Sequence, residues 1–448
     1  MSYLDFLQSK KEVALGKVEK INVKPHFNAK HHQAYSLKKL LKMGRGAAFL
    51  DTGLGKTFLQ VDWARHIGGN VLIVAPLGVT FQTVKEAKEL LGVKITQVFE
   101  GQLIPGISIT NYESLHKFDS CFYKGIVLDE SSILKGKNSK TKGQICEMFK
   151  DTPFRLACTA TPSPNDYTEL GNHAEFLGVM NTQEMLTRWF LHDSANTGDW
   201  RLKGHAVEDF WRWVASWAVC ITKPSDVGGN DDGYDLPKLH IDTHTIKEPL
   251  MQADGMLFEL PSVSSTELHK VKRMTLEDRC KEVATKVNNS DKPWIVWCES
   301  NDESDLLEKL IPDAVAVKGA HNVSQKEDRL LGFTDGKYRV IISKPSIAGF
   351  GMNWQHCRNI AFASISYSYE KFYQAVRRSW RFGQDQEVFV HVFLSNSELT
   401  VWRAIEKKTN SHDEMKKHMR MVADFQGRTH EVKIDYQPKK QASLPSWI

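Results

Sequence analysis

Short runs of consecutive apolar residues alternate with amphipathic segments along most of the chain. In the first half, the apolar runs are Gly46–Leu50, Val71–Ala75, Ile107–Thr110, Gly125–Leu128 and Arg155–Cys158. Strands that are buried on both faces have this continuous apolar character, whereas the segments between them have helical spacing. The alternation predicts βαβ units around an open parallel sheet.

The same alternation returns in the second half. The apolar runs there are Trp294–Cys298, Ala314–Val317, Arg339–Ile342, Asn359–Phe362 and Val388–Leu394. Between the two halves, residues 175–217 have a helical pattern rich in tryptophan, and Lys223–Gly233 is a polar, glycine-rich stretch suited to a linker. The pattern therefore predicts a second α/β sheet.

The length of the chain agrees with more than one lobe. At 448 residues it exceeds one domain, given roughly 100 to 200 residues per domain. We predict a first lobe over residues 1–222, a linker and helical connector over 223–290, a second lobe over 291–410 and a helical tail over 411–448. The last residues, 437–448, lack a pattern, and we expect them to be mobile.

Composition narrows the class of protein only slightly. The content of 41% hydrophobic and 25% charged residues is that of an ordinary soluble protein, and a net charge of +5 permits a polyanionic partner without requiring one. The seven cysteines form no CxxC pair, so we expect a reduced protein without structural zinc. No stretch approaches the roughly eighteen apolar residues of a membrane span.

A glycine-rich loop at Asp51–Thr57, DTGLGKT, lies between a predicted strand and a predicted helix. Gly53 and Gly55 allow backbone N–H groups to surround phosphate oxygens, and the helix dipole favours the negative charge. Lys56 would reach the β- and γ-phosphates, while the Thr57 hydroxyl would bind Mg²⁺. The loop residues predicted to bind the nucleotide are Thr52, Gly53, Leu54, Gly55, Lys56 and Thr57. The plainer alternative is a glycine turn with a chance lysine.

Two further strand ends carry polar residues. The run Gly125–Ser132, GIVLDESS, ends a strand with adjacent carboxylates, of which Asp129 would hold Mg²⁺ and Glu130 would orient and deprotonate the attacking water. Thr159 and Thr161 follow another strand and could bond this acidic pair. Either element alone would be commonplace, but their order after the glycine loop favours a nucleotide site.

The second half adds a glycine-flanked loop and a basic helix. The loop Ser343–Trp354 follows a strand and would allow close approach of a nucleotide or a nucleic-acid backbone. A predicted helix from about Tyr369 to Trp380 carries Gln374, Arg378 and Arg381 on adjoining turns. The i, i+3 spacing of the two arginines places both guanidiniums on one face. Alone, such a helix is more often a solvated basic face.

Together these elements resemble superfamily-two helicases, and most closely the Swi/Snf-type DNA translocase branch. The compact size of the chain and its DESS sequence also resemble those of helicase-like proteins of bacteriophages and prophages. The motifs that carry the resemblance are DTGLGKT (51–57), LIVAP (72–76), ITNYESL (109–115), VLDESSILKGKNSK (127–140), LACTATPSPNDYTELGNHAEFL (156–177), LPKL (236–239), SKPSIAGFGMNW (343–354) and QAVRRSWRFGQ (374–384).

The resemblance implies an α/β fold of two tandem RecA-like parallel-sheet lobes, with ATP bound in the cleft between them and a C-terminal helical tail. It implies ATP and Mg²⁺ as cofactors, with Thr57 and Asp129 as the metal ligands and Glu130, Gln374, Arg378 and Arg381 as the catalytic residues. Gln33 would recognise adenine, with Phe27 as a neighbour. Gly351 and Asn353 would link nucleotide to nucleic acid.

The resemblance also implies a function. We expect an ATP-dependent DNA helicase or translocase that contacts the DNA backbone without sequence preference, works with replication or recombination proteins, does not bind membranes, and acts in the cytoplasm of a bacterial or phage-infected cell. The alternatives are a double-stranded DNA translocase or remodeller that does not separate strands, and a non-motor ATP-binding switch.

Two departures from the family pattern, and a tryptophan cluster, qualify these expectations. Ser132 stands where an acidic residue or histidine is usual, which leaves its contact to the second lobe open. The region between the lobes, Lys223–Asp291, is too short for the insertions of eukaryotic nucleosome remodellers. Trp213 and Trp217 are spaced i, i+4, which favours packing of a helix against the first lobe over base stacking.

Overall fold

The computed structural model describes residues 21, 23–136, 139–192, 200–248, 265–348 and 353–428. Two parallel sheets follow one another along the chain, each covered by helices, and they form two lobes that face each other across a cleft. The predicted fold class of two tandem parallel-sheet α/β lobes is confirmed.

In the described residues, lobe one contains a seven-stranded parallel sheet in the order β3-β4-β2-β5-β6-β1-β9. Its strands, together with those of a small separate hairpin (β7 and β8), are β1 (Arg45–Leu50), β2 (Val71–Ala75), β3 (Thr96–Gln97), β4 (Ile107–Asn111), β5 (Gly125–Asp129), β6 (Phe154–Thr159), β7 (Phe190–His192), β8 (Trp200–Leu202) and β9 (Ala218–Ile221). The helices are α1 (His31–Met43), α2 (Lys56–Ile67), α3 (Leu77–Leu91), α4 (Lys140–Met148), α5 (Leu170–Leu177), α6 (Thr182–Trp189) and α7 (Val207–Trp217).

The described part of lobe two contains a six-stranded parallel sheet in the order β10-β15-β14-β11-β13-β12. Its strands are β10 (Leu239–Ile246), β11 (Trp294–Trp297), β12 (Ala314–Val317), β13 (Val340–Ser343), β14 (Asn359–Phe362) and β15 (Val388–Ser395). The helices are α8 (Ser265–Met274), α9 (Leu276–Asn288), α10 (Asn301–Leu310), α11 (Val323–Thr334), α12 (Pro345–Ala348), α13 (Tyr369–Val376) and α14 (Leu399–Arg428).

The segment expected to connect the lobes supplies part of the second one. Strand β10 pairs with β15 along its whole length, from Leu239 opposite Val388 to Ile246 opposite Ser395. It is an edge strand with mostly exposed or half-buried residues, so it lacks the continuous apolar run by which the other strands were recognised. Helices α8 and α9 also precede residue 291 and lie in this lobe.

The tryptophan-rich helix α7 packs against lobe one. It buries Phe210, Trp211, Trp213 and Trp217, and the Trp217 ring meets the ring of Phe49 from β1 edge to face, with centroids 5.9 Å apart. Burial of large aromatic rings stabilises a core strongly. Trp213 and Trp217 therefore have the packing role that their spacing predicts.

Helix α14 returns from lobe two to lobe one. Near its start, Val401 and Ile405 belong to the core of lobe two, whereas Met415 and Met419 belong to the core of lobe one. The helix thus extends into the expected tail, while residues 437–448 lie outside the described part. Among the described helices, none combines the length and hydropathy that a membrane crossing requires.

Candidate nucleotide-binding site

The glycine-rich loop leaves the carboxyl end of β1, which is buried between β6 and β9. Gly53 and Gly55 have φ values of 93° and 79°, which side chains rarely tolerate. Gly55 is the N-cap of α2, and no side chain caps this helix. The first N–H groups of α2 therefore face the cleft without a side-chain acceptor, an arrangement that favours an anion such as phosphate.

Gln33 lies directly behind this loop. Its side chain donates to the carbonyl of Leu54 at 3.2 Å and accepts from the N–H of Lys30 at 2.9 Å. A Cβ on Gly55 would lie 2.2 Å from Gln33 Nε2, so glycine is required for this close approach as well as for the backbone conformation. Leu54 itself is buried, and it takes part through its carbonyl.

The loop forms one wall of a cleft of about 360 Å³ between the lobes. Lobe one and lobe two both supply polar residues to it. Of the residues predicted to form the site, those that line the cleft are Gln33, Thr52, Gly53, Gly55, Lys56, Thr57, Asp129, Glu130, Gln374, Arg378 and Arg381. The structure thus brings the two halves of the predicted site together.

The two carboxylates at the end of β5 have different surroundings. The Asp129 carboxylate accepts from Gln60 Nε2 at 2.6 Å, and its carbonyl accepts from the Tyr112 hydroxyl at 2.6 Å. Burial raises the pKa of Asp129, although the Gln60 hydrogen bond and the charge of Lys56 oppose the rise. Neither Gln60 nor Tyr112 was predicted, although Tyr112 lies within the ITNYESL motif.

Glu130 is surrounded by protein at the cleft wall. Burial raises its pKa to about 7, with Lys56 opposing the rise and Asp129 and Glu370 adding to it. Its φ of 52° is the one positive value among the described non-glycine residues. A carboxyl group with a pKa near neutrality is well matched to accepting a proton from water.

The threonines after β6 lie beside this carboxylate. The Thr159 hydroxyl is 3.4 Å from Glu130 Oε2 and accepts from the N–H of Thr161 at 3.1 Å. On the other side, Ser131 Oγ is 3.1 Å from His173 Nε2. The end of β6 and helix α5 therefore contact the carboxylate motif directly.

Lobe two contributes the end of α13 and the turns that follow it. The helix ends at Val376, so the prediction of a helix reaching Trp380 is wrong. The carbonyl of Arg378 instead accepts from the N–H of Trp354 at 2.9 Å, and the Trp380 indole donates to the carbonyl of Pro237 at 2.7 Å. The Arg378 carbonyl thus bonds to a residue outside the helix, and Gln374, Arg378 and Arg381 still line the cleft.

Of the two arginines predicted to be catalytic, Arg378 is buried and Arg381 is half-buried. Burial lowers the pKa of Arg378 to about 9, with Arg381 lowering it further and Glu130 opposing the shift. Burial also lowers the pKa of Arg381, which Glu86 on α3 partly offsets. The amide Nε2 of Gln374 is buried without a hydrogen bond in the described structure. A phosphate in the cleft would give Gln374 Nε2 an acceptor.

Two predicted residues that the structure describes, Asn353 and Phe27, do not line the cleft. Asn353 is exposed and its amide nitrogen lies 3.4 Å from Gln355 Oε1, and Gly351 lies outside the described residues. Phe27 is 87% exposed, and its ring contacts the His26 ring at a tilt of 34°, with centroids 4.3 Å apart. Of its neighbours, Asn28 does line the cleft.

Ser132 contacts lobe two, a contact that the sequence left open. Its hydroxyl donates to the Glu370 carboxylate at the start of α13, and Lys135 pairs with the same carboxylate. Helix α13 is therefore held against lobe one at its N-terminal end. Neither Glu370 nor Lys135 was predicted, because no local pattern indicates contacts between residues so distant in sequence.

The donor set fits Mg²⁺ bound together with a nucleotide. Within the described residues, no three His, Cys, Asp or Glu side chains group closely enough to hold a metal on their own. Thr57 and Asp129 both line the cleft, where their side-chain oxygens would be the protein ligands of the metal. Such a sparse set suits Mg²⁺, which keeps several waters and takes its remaining ligands from phosphate.

Sequence comparison assigns part of lobe two. Residues 275–383 match the helicase conserved C-terminal domain. The match includes Gln374, Arg378 and Arg381, and it begins inside the segment expected to be a connector. No curated protein sequence matches the chain.

Solved structures share the two-lobed fold. Saccharomyces cerevisiae Dbp5 bound to RNA and ADP BeF3 is 11% identical over 89% of this chain and 100% of that chain, with a TM-score of 0.53. A fragment assigned as an HsdR subunit of a type I restriction enzyme from Vibrio vulnificus YJ016 is 14% identical over 88% and 70%, with a TM-score of 0.55. The Sulfolobus solfataricus SWI2/SNF2 ATPase core in complex with dsDNA is 17% identical over 92% and 97%, with a TM-score of 0.41. The two likenesses with TM-scores above 0.5 concern the fold, which is RecA-like in both lobes.

Proposed function

We propose that this protein is an ATP-dependent DNA helicase or translocase of the superfamily-two, Swi/Snf-type class, which hydrolyses ATP to move along DNA. The observation that carries the proposal is the shared cleft, where Lys56 and Glu130 of lobe one face Arg378 and Arg381 of lobe two. The match of residues 275–383 to the helicase conserved C-terminal domain supports it. The resemblance to phage and prophage proteins is part of the same proposal.

Six cleft residues have roles in the proposed chemistry. Bound ATP·Mg²⁺ would supply the scissile γ-phosphate and a divalent charge. Lys56 and the N–H groups of α2 bind the phosphates, and Thr57 and Asp129 hold the metal. Glu130 orients the attacking water and accepts its proton, while Arg378 and Arg381 neutralise charge that develops in the transition state.

Movement follows from the division of these residues between the lobes. The arginines reach the nucleotide only when the lobes are closed, so loss of the γ-phosphate removes a reason for closure. Repeated closing and opening would carry two sets of backbone contacts along DNA. Such contacts are independent of sequence and weaken as salt rises.

The test is the steady-state ATPase rate of the wild-type protein, measured in parallel with single-stranded DNA, duplex DNA, forked DNA and RNA. We expect DNA to stimulate hydrolysis, and Glu130→Gln to lower the stimulated rate by roughly 10²- to 10⁴-fold while ATP still binds. Near-normal turnover in Glu130→Gln would overturn the catalytic assignment. Stimulation by RNA alone would overturn the assignment to DNA.

Strand separation is tested on the same preparation. A triplex-displacement assay detects movement along duplex DNA, whereas a strand-displacement assay on forked DNA detects unwinding. Activity in the first assay alone identifies a translocase that does not separate strands. ATP binding without hydrolysis on any nucleic acid would identify the non-motor switch instead.

A further inference from the structure

The carboxylate of Asp51, the first residue of the glycine-rich phosphate loop, is the centre of a buried polar cluster. Its Oδ2 is 2.9 Å from Lys416 Nζ and 3.2 Å from Arg377 Nη2. The Tyr373 hydroxyl donates to its Oδ1, which also accepts from the N–H of Thr52 at 2.7 Å. The first backbone N–H of the loop is thus held by the same carboxylate that binds two cations.

The partners of Asp51 come from different parts of the molecule. Tyr373 and Arg377 lie at the end of α13 in lobe two, whereas Lys416 lies on α14, in the stretch that packs on lobe one. Met415 and Met419 on either side of Lys416 are buried in the core of lobe one. Further along, the His418 ring stacks on the Trp211 ring of α7, with centroids 5.7 Å apart.

The charges in this cluster depend on one another. Burial alone would raise the pKa of Asp51, but Arg377 and Lys416 together hold it well below its ordinary value. Burial alone would also lower the pKa of Lys416, which Asp51 reverses. A buried carboxylate that loses its partners is strongly destabilising.

We propose that Lys416 is a positioning residue for the phosphate loop, which it holds in place through Asp51 whether the lobes are closed or open. When the lobes separate, Tyr373 and Arg377 leave with lobe two, whereas Lys416 stays with lobe one because Met415 and Met419 anchor it there. The carboxylate at the root of the loop then keeps a cation. The C-terminal helix is therefore part of the nucleotide site.

The effect on catalysis rests on the proposed function. Lys56 follows Asp51 by five residues, so a shift of the loop root displaces the lysine that binds the phosphates. Small misplacements of such groups cost up to roughly a hundredfold in rate. The effect on the loop itself does not depend on catalysis, and it can be measured without nucleotide.

The experiment compares Lys416→Met with Lys416→Arg and with Lys417→Met, which alters an exposed lysine on the same turn. Hydrogen–deuterium exchange of the peptide covering residues 51–57 is measured without nucleotide, and kcat and KM for ATP are measured with DNA. We expect Lys416→Met to speed exchange in this peptide and to lower kcat roughly 10- to 100-fold. Lys416→Arg restores both, and Lys417→Met matches the wild type.

The outcomes separate this inference from the proposed function. If the wild type does not hydrolyse ATP, the proposed function fails, and the exchange of residues 51–57 still decides the role of Lys416. Unchanged exchange in Lys416→Met overturns the positioning role, as does faster exchange spread evenly over the whole molecule. If Lys416→Met does not fold, Lys416→Gln replaces it, because glutamine keeps a hydrogen-bond donor for Asp51 without the charge. Unchanged exchange of residues 51–57 in Lys416→Gln then overturns the positioning role, as does faster exchange spread evenly over the whole molecule.

Discussion

Each lobe contains a buried strand that leads through a short loop into a helix, but the two helices begin in opposite ways. In lobe one, β1 leads into α2, whose N-cap Gly55 has no side-chain cap. In lobe two, β11 leads into α10, where Ser300 accepts from the N–H of Glu303 at 3.1 Å. The Glu303 carboxylate in turn accepts from the N–H groups of Glu299 and Ser300 at 2.8 and 3.1 Å.

In lobe two, the Glu303 carboxylate therefore lies at the N-terminus of α10. In lobe one, the N-terminus of α2 has no such side chain and leaves room for an external anion. Glu303 also pairs with the fully buried Arg279 at 3.0 Å, and Arg279 reaches Glu398 at 3.3 Å. A helix N-terminus attracts negative charge in either case. Whether it binds a ligand depends on whether the chain has already filled it.

Substitution of the phosphate-loop lysine gives the largest expected effect. Lys56→Ala removes the lysine that we propose binds the phosphates, so we expect the DNA-stimulated ATPase rate to fall by roughly a thousandfold. The matched control is Lys309→Ala, which removes an exposed lysine from α10 in lobe two and leaves the rate unchanged. If Lys56→Ala and Lys309→Ala lowered the ATPase rate equally, the proposed difference between α2, whose N-terminus can bind a ligand, and α10, whose N-terminus is already capped, would be contradicted.

The second effect concerns stability in lobe two. Glu303→Gln leaves Arg279 short of one buried partner, and we expect a loss of about 3 kcal/mol in the free energy of unfolding. Urea denaturation followed by tryptophan fluorescence measures it, since Trp294 and Trp297 lie in this lobe. ATP affinity should be unchanged; a loss of affinity without a loss of stability would place Glu303 in the nucleotide site.

The contribution of the Glu303 carboxylate to the free energy of unfolding depends on pH in one direction. Burial opposes the charge of Glu303, but Arg279 and the hydrogen bonds hold its pKa in the folded protein below the ordinary value of 4.5. The carboxylate therefore contributes its full stability above pH 4.5 and loses that contribution as the pH falls towards the lowered pKa. The difference in the free energy of unfolding between the wild type and Glu303→Gln should therefore decrease as the pH falls from 4.5 towards the lowered pKa.

The sequence predicts the open terminus well because its features are local. Gly53, Gly55 and Lys56 follow a continuous apolar strand, and Glu130 follows another, so the fold places them at one edge of one sheet. Contacts made across the fold have no such pattern. Lys416 is 365 residues from Asp51, and only the path of α14 brings the two together.

The edge strand β10 and the turns that follow α13 were not predicted from the sequence, and the reason is different. Strand β10 contains four consecutive polar residues, Asp242–Thr245, and most of its residues are exposed or half-buried because it lies at the edge of the sheet. After Val376, the Arg378 carbonyl accepts from the N–H of Trp354 and the Trp380 indole donates to Pro237, and neither contact can be read from the local sequence. Both are cases in which neighbours distant in sequence decide the local structure.

The smallest expected effect comes from the side-chain cap of α10. Ser300→Ala removes the acceptor for the N–H of Glu303, which costs about 1 kcal/mol in the free energy of unfolding. The loss is smaller than for Glu303→Gln because the Glu303 carboxylate still accepts from two backbone N–H groups. Urea midpoints of both variants give the ranking, and a larger loss in Ser300→Ala would show that the hydroxyl, and not the carboxylate, is what closes the helix terminus in lobe two.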